Sequence, residues 1–334
     1  MMKAMVLAEF RPAEENPLEL REVERPEPGP RELLVKVRYC GVCHTDLHTV
    51  EGELPDVSLP RIPGHQVVGT VEETGEEVSM FRKGSRVGIA WLYSTCGRCH
   101  FCRSGRENLC REARFTGYQV DGGYAEYMVV PEEFAYEIPD NFPDEKAAPL
   151  LCAGIIGYRA LRLSGVKPGQ KLGLFGFGAS AHVTIQVARH WNCRVFVFSR
   201  SAEHRRHALE LGAVWAGKPD ERPPEKLDSA IVFAPAGEVA RLALRAIDRG
   251  GTVALAGIYM SPIPELDYES ELYYEKCLKS VANATRQDGN EFLTIAADIP
   301  VTTEITIFPL EEANRALQMV KHSALNGAAV LKVD

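Results

Sequence analysis

Four cysteines lie within fifteen residues, in the segment CGRCHFCRSGRENLC, and their spacing constrains the fold more than any other feature of the chain. They are Cys96, Cys99, Cys102 and Cys110. Short loops between thiolates let them converge on one ion, and a closed shell of four thiolates is typical of structural zinc. A pair of disulfides is the alternative, but this spacing favours a metal. The segment therefore predicts a zinc-stabilised lobe that does no chemistry itself.

The composition excludes several classes of protein. The chain has 334 residues, enough for about two domains, and a formal net charge of -8. A general binder of nucleic acid or of anionic membranes would be basic instead. The first residues are too short an apolar run for a signal peptide, and the longest apolar stretch, at residues 147–157, is too short to span a bilayer. We expect a cytoplasmic protein whose nine cysteines are metal ligands or free thiols.

The two halves of the chain have different periodicities. In the first 150 residues, segments such as ELLVKVRYC alternate apolar and polar residues and predict half-buried strands between Gly- and Pro-containing turns. From about Gly165, strands such as CRVFVFSR alternate with helical segments of ten or more residues. This alternation predicts a parallel sheet covered on both faces, as in a doubly wound nucleotide-binding domain. The final helix and the last strand, AAVLKV, are expected to pack back on the first domain.

A glycine-containing turn joins a strand to a helix at Gly176, Gly178 and Ala181. This G-x-G-x-x-A pattern is a permitted form of the dinucleotide-binding fingerprint. Gly176 allows a tight turn, Gly178 lets the backbone approach a pyrophosphate, and Ala181 keeps the helix close to the strand. The start of the helix then offers unpaired N–H groups to the phosphates.

The end of the next strand carries Ser199 and Arg200. Sites for NAD usually have a carboxylate there, which binds the ribose 2′-hydroxyl and would repel a 2′-phosphate. Serine and arginine can instead bind that phosphate, so we predict a preference for NADP(H) over NAD(H). The alternative is that Arg200 is a solvated loop residue and that selectivity is weak.

A second metal site could be assembled from separate segments. The candidate ligands are Cys43, His44, His48, His65 and Cys152. Catalytic zinc needs three protein ligands and an open fourth position, but distant ligands leave no periodic trace. The spacing alone therefore does not select among these residues.

Several motifs together resemble the zinc-dependent alcohol dehydrogenases of the medium-chain dehydrogenase/reductase family. They are GVCHTDLH, PGHQVVGTV, the four-cysteine segment, DGGYAEYMVV, APLLCAG and GFGASA. The resemblance implies an α/β protein with two domains. A GroES-like β-barrel catalytic domain with two zinc sites would comprise residues 1–153 and 286–334, and a doubly wound Rossmann domain residues 154–285. The active site would lie in the cleft between them.

The resemblance also implies roles for single residues. Cys43, His65 and Cys152 match the catalytic zinc ligands of the family, and Asp46 matches the carboxylate that orients the ligand histidine.

Other positions match the relay and the pocket of the family. Thr45 and His48 resemble the two ends of a proton relay, and His44 a basic residue against the cofactor pyrophosphate. Trp91 resembles the aromatic wall of the substrate pocket, and Ile156 a pocket residue near the nicotinamide.

Besides Ser199, two residues depart from the family pattern. Gln66 replaces the glutamate that usually follows the ligand histidine, which removes a negative charge near the metal. Ala328 replaces an arginine that contacts the pyrophosphate in many relatives. Losing such a contact could weaken cofactor binding by roughly 1.5–3 kcal/mol.

The activity implied is reversible hydride transfer between a small alcohol and its aldehyde or ketone, with NADP(H) or NAD(H) and two Zn²⁺ per chain. A homodimer or homotetramer is expected. Two alternatives stay open: a polyol or sugar dehydrogenase of the same superfamily, and a non-catalytic NADPH-binding, redox-responsive protein. A zinc lobe that binds nucleic acid is disfavoured by the net charge.

Overall fold

The computed structural model of the protein describes residues 1–299, 301–325 and 327–334. Its contacts divide the chain into two compact units. The first consists of Met1–Cys152, Thr285–Ala297 and Thr302–Asp334, and the second of Ala153–Ala284 and Asp298–Val301. Within the described residues, no helix is long and apolar enough to cross a membrane.

The β-strands follow in chain order: β1 Met2–Leu7, β2 Leu18–Val23, β3 Glu32–Val42, β4 Val67–Thr74, β5 Arg86–Ile89, β6 Leu92–Ser94, β7 Arg114–Phe115, β8 Tyr127–Pro131, β9 Ala135–Glu137, β10 Lys171–Phe175, β11 Arg194–Phe198, β12 Trp215–Gly217, β13 Leu227–Val232, β14 Ile247–Leu255, β15 Cys277–Ser280, β16 Ile305–Pro309 and β17 Ala328–Lys332.

The α-helices are α1 His44–Val50, α2 His100–Arg103, α3 Asp144–Ala147, α4 Ala153–Ser164, α5 Ala179–His190, α6 Ala202–Glu210, α7 Gly237–Ala246, α8 Arg286–Asp298 and α9 Ala313–Lys321. Short 3-10 turns flank several of them, including Ala148–Leu151 before α4 and Leu310–Glu312 before α9.

The first unit is built on an antiparallel sheet around the long strand β3. The strand order is β16-β17-β3-β4-β5-β9. Strand β8 pairs with the first half of β3, from Glu32 to Lys36. Alternate apolar residues of β3, among them Leu33, Val35 and Val37, are fully buried, as the alternating sequence pattern predicts. They join one hydrophobic core with residues of β1 and α9. The chain end thus packs on the first unit, as expected.

The second unit is a parallel sheet with the order β12-β11-β10-β13-β14-β15. The order reverses between β10 and β13, which is the topological switch point of a doubly wound fold. Continuous apolar runs form the central strands because both faces are covered; Phe175 and Phe198 are fully buried and their rings stack at 3.9 Å. The predicted α/β class and parallel sheet are confirmed.

Some element boundaries differ from the sequence prediction. The segment KSVANA, at residues 279–284, predicts a strand that closes the sheet, but β15 ends at Ser280. Asn283 has a φ of +57°, a left-handed conformation that cannot continue an extended strand. The segment SRVGIAW, at residues 85–91, also predicts one strand. In the structure β5 ends at Ile89 and β6 begins at Leu92, which leaves Trp91 between two strands.

Candidate functional site

Two cysteines and a histidine from distant segments converge in the first unit. The Sγ atom of Cys43 lies 3.5 Å from Nε2 of His65 and 4.0 Å from Sγ of Cys152, and the ligand atoms all lie within 4.8 Å of one another. Bond lengths of zinc to sulfur and nitrogen place tetrahedral ligand atoms about 3.5–3.8 Å apart. The three side chains therefore fit a tetrahedral zinc ion with one position left for another ligand.

The start of α1 sets the position of this group. Cys43 is the N-cap residue of α1, and its backbone N–H donates to Oδ2 of Asp46 at 2.9 Å. The other oxygen, Oδ1, lies 3.0 Å from Nδ1 of His65. One carboxylate, only 2 % exposed, thus caps the helix and orients the imidazole so that Nε2 faces the sulfur atoms.

The electrostatics of the group favour a cation. Burial lowers the pKa of His65, but interactions with Asp46 and Cys43 outweigh it and raise the pKa to about 10. The hydrogen bond with the Cys152 thiol is the main cause that raises the pKa of Cys43. Surroundings that hold a proton on this imidazole also favour a divalent ion, which then competes with protons for the same ligand atoms.

An aromatic cluster lies beside the histidine. The ring of Trp91 meets that of His65 edge to face at 4.9 Å, and it packs on Phe115 at 5.2 Å and on Tyr118 at 5.5 Å. Trp91 is partly exposed, whereas His65 is fully buried. The indole is therefore a wall next to the ligand group, where the resemblance places the substrate pocket.

Helix α1 also carries the residues predicted for the proton relay and for the cofactor pyrophosphate, Thr45, His48 and His44. Thr45 is 8 % exposed, and its carbonyl oxygen accepts from the hydroxyl of Thr49 at 2.8 Å. His44 is exposed, with its ring 6.3 Å from that of His48. Nδ1 of His48 makes a short hydrogen bond to Glu53. Sequence reasoning missed Glu53, because a carboxylate in a polar loop carries no distinguishing signal.

Gln66 follows the ligand histidine and is 2 % exposed. Its Nε2 has no hydrogen-bond partner among the described residues. A Cβ atom at Gly41 would lie 2.9 Å from the carboxamide of Gln66, so the glycine makes room for this side chain. Ala328 is the first residue of β17, where its N–H donates to the carbonyl of Glu304 at 2.9 Å.

The four clustered cysteines surround one point. Sulfur–sulfur distances are 3.9 Å for Cys96–Cys102, 3.5 Å for Cys99–Cys102 and 3.6 Å for Cys96–Cys110. These values match the edges of a tetrahedral thiolate shell, about 3.8 Å long. Bonds from the backbone and thiol of Cys102 are among the causes that lower the pKa of Cys99 to about 7, which favours the thiolate form that binds metal.

The glycine turn in the second unit has the geometry of a phosphate-binding loop. Gly176 has a φ of +91°, and a Cβ atom there would lie 2.9 Å from the backbone nitrogen of Ala234. Gly178 caps the start of α5, and a Cβ atom there would meet nothing within 4 Å. Ala181, in the first turn of α5, is fully buried. The open space at Gly178, next to the free N–H groups of α5, fits a cofactor pyrophosphate.

The turn after β11 carries the residues predicted to contact the adenosine ribose. Ser199 is 6 % exposed and its N–H donates to the carbonyl of Gly217 at 2.9 Å, whereas Arg200 is exposed. Nη1 of Arg205 donates to the carbonyls of both residues, a contact that the sequence did not predict.

Ile156 lies on α4 of the second unit, four residues after Cys152 in the chain, and is partly exposed.

Two family models match the chain. The alcohol dehydrogenase GroES-like domain matches residues 29–140, and the zinc-binding dehydrogenase domain matches residues 181–298. The chain is 47 % identical over 327 residues to "Probable alcohol dehydrogenase AdhA" of Mycobacterium tuberculosis (strain CDC 1551 / Oshkosh), covering 96 % of this chain and 94 % of that protein. It is 38 % identical to an alcohol dehydrogenase of Geobacillus stearothermophilus, over the full length of both.

A solved structure agrees with these matches. CAD from Helicobacter pylori, complexed with NADP(H), superimposes with a TM-score of 0.88 at 26 % identity, covering 99 % of this chain and 97 % of the other. The sequence matches span both units described above. This chain belongs to the zinc-dependent alcohol dehydrogenases of the medium-chain dehydrogenase/reductase family.

Proposed function

We propose that the protein interconverts an alcohol and its aldehyde or ketone by hydride transfer with NADP(H), and that Zn²⁺ held by Cys43, His65 and Cys152 is required. The observation that carries this proposal is the convergence of two thiols and one imidazole at the separations of tetrahedral zinc ligands. The test is a panel of alcohols and carbonyl compounds assayed with both nicotinamide cofactors, together with the zinc content per chain.

Cys43, His65 and Cys152 would hold the zinc ion, and neighbouring residues support these ligands. Zinc supplies Lewis-acid polarisation of the alcohol or carbonyl oxygen, and the nicotinamide accepts or donates the hydride. Asp46 keeps the imidazole of His65 oriented through the bond to Nδ1. Trp91 limits the width of the space beside the ligands, which favours slim alcohols over bulky polyols.

A second zinc in the four-cysteine segment is proposed as structural, because four thiolates leave no open position for substrate. A cytoplasmic location and assembly into dimers or tetramers are proposals as well. Zinc content near two per chain with measurable aldehyde reduction supports the enzyme. One zinc and no turnover would instead favour the non-catalytic NADPH-binding protein.

Thr45 and His48 are proposed as the two ends of a proton relay, and the ribose of the cofactor would link them. The bond from Nδ1 of His48 to Glu53 fixes the orientation of the imidazole ring. We expect His48→Ala to slow alcohol oxidation about tenfold near pH 7 and much less near pH 10, where solvent hydroxide replaces the base. The pH dependence of kcat measures this.

His190→Ala is the control for that measurement, since His190 is an exposed histidine at the end of α5. We expect its pH–rate profile to match that of the wild type. An unchanged profile for His48→Ala would contradict the relay.

Cofactor preference is expected to depend on Ser199 and Arg200. Wild-type protein should bind NADPH at least about tenfold more tightly than NADH, because a guanidinium and a hydroxyl can hold the 2′-phosphate by charge-assisted hydrogen bonds. Ser199→Asp should reverse the preference, since its carboxylate repels the phosphate and accepts the 2′-hydroxyl. Ratios of KM for the two cofactors decide the point, and a wild-type preference for NADH would reject it.

A further inference from the structure

The side chain of Arg205 is bound to the turn that carries Ser199 and Arg200. Nη1 of Arg205 donates to the carbonyl oxygen of Ser199 at 2.7 Å and to that of Arg200 at 2.9 Å. One guanidinium nitrogen thus holds two successive peptide groups. We infer that Arg205 is a positioning residue for NADP(H), which fixes this turn in the conformation that receives the 2′-phosphate. The inference rests on the cofactor preference proposed above.

The start of α6 explains how the side chain reaches the turn. Ser201 is the N-cap residue, and its Oγ accepts from the N–H of His204 at 3.2 Å. Arg205 follows in the first turn of the helix, with its own N–H bonded to the carbonyl of Ser201 at 3.2 Å. Side chains on a helix lean towards its N-terminus. A long side chain at this position therefore extends back over the residues just before the helix.

Strand pairing holds the other side of the turn. The N–H of Ser199 donates to the carbonyl of Gly217 at the end of β12. Its carbonyl is held by Arg205, so both peptide groups of Ser199 have fixed partners. Ser199 is also only 6 % exposed, so its side chain has little room to move.

The orientation of the two carbonyls matters for an anionic ligand. A carbonyl oxygen carries partial negative charge, and one that turned towards a 2′-phosphate would repel it. Bonding to a guanidinium keeps both oxygens on the side of Arg205. Loss of the guanidinium frees the two peptide groups to rotate. The backbone of Arg200, from which its side chain extends, is then no longer held in one orientation.

The same change in net charge can be made at the next residue, which provides a matched control. The side chain of Arg206 is 71 % exposed and lies 3.9 Å from Glu210 on the same helix. Arg205→Met and Arg206→Met each remove one cation from α6, but only the first removes bonds to the turn. Arg205→Lys keeps the charge and one donor nitrogen, but its side chain is one atom shorter than the path to Nη1, so the ammonium reaches the two carbonyls less well.

The experiment measures dissociation constants of NADPH and NADH by nucleotide fluorescence on the full zinc-loaded protein. For Arg205→Met we expect the dissociation constant of NADPH to rise about tenfold or more, the size of effect that loss of charge-assisted hydrogen bonds produces. Binding of NADH should weaken less than about threefold, and kcat at saturating NADPH should stay near the wild-type value. Arg205→Lys should show at least half of that loss of NADPH affinity on a logarithmic scale. Arg206→Met should bind both cofactors as the wild type does.

The ratio of the two constants within one preparation does not depend on the fraction of folded protein, so partial misfolding cannot imitate the expected result. Equal weakening of both cofactors, wild-type binding by Arg205→Lys, or a similar loss in Arg206→Met would each overturn the inference. Those outcomes leave the proposed cofactor preference intact if the wild type binds NADPH more tightly. A wild-type preference for NADH would overturn both.

Discussion

Cys43→Ala is expected to reduce kcat/KM for alcohol oxidation by about a thousandfold or more, while the protein stays folded. The Sγ atom of Cys43 lies 3.5 Å from Nε2 of His65 and 4.0 Å from Sγ of Cys152, the other two proposed ligands. Two remaining ligands hold zinc poorly, and Lewis-acid stabilisation of the reacting oxygen contributes several kcal/mol. Metal analysis should show zinc falling from about two ions per chain to about one.

Cys277→Ala is the matched control, because Cys277 is an exposed thiol on β15 that belongs to neither group of clustered ligands. It should retain full activity and both ions. Turnover within tenfold of the wild type by Cys43→Ala, with zinc content unchanged, would refute the assignment of the catalytic metal.

Cys99→Ala is expected to have its main effect on stability. The short helix α2, which follows Cys99, has no buried residues, so the segment has little apolar contact to keep its fold. Loss of a structural metal is among the changes that cost more than about 4 kcal/mol. For a protein of this size we expect the thermal transition to fall by about 10 °C. One zinc ion should be lost, and limited proteolysis should cut first within residues 96–110.

Activity of Cys99→Ala should decline only as the protein unfolds, which distinguishes it from Cys43→Ala. Calorimetry of the two variants beside Cys277→Ala provides the comparison. A transition temperature equal to that of the wild type, with both zinc ions retained, would contradict a structural role for the four-cysteine segment.

The sequence predicted the parallel sheet of the second unit well because its signals are local. The run VFVF indicates a strand buried on both faces, and β11 occupies Arg194–Phe198 with the adjacent residues Val197 and Phe198 both buried. Periodicity did not reveal β16, which pairs in parallel with β17. Four of its five residues are of intermediate or high exposure, so no clear alternation marks it.

The four clustered cysteines could be grouped from the sequence, because their ligand geometry is encoded in loops of a few residues. The other thiol–imidazole group could not be selected that way. Cys43 is separated by 22 residues from His65 and by 109 from Cys152. The resemblance to known enzymes suggested these three ligands. Their convergence on one point depends on how β3, α1 and the turn before α4 are held in the first unit.

The chain by itself determined which segments become strands and helices and which short segments carry ligands, because local periodicity and spacing depend only on neighbours in the chain. Tertiary structure alone decided the partners of those residues. Asp46 binds the imidazole of His65, Glu53 that of His48, and Arg205 the turn at Ser199. Such contacts depend on where the backbone places groups in space, and the local periodicity of the sequence does not encode those positions.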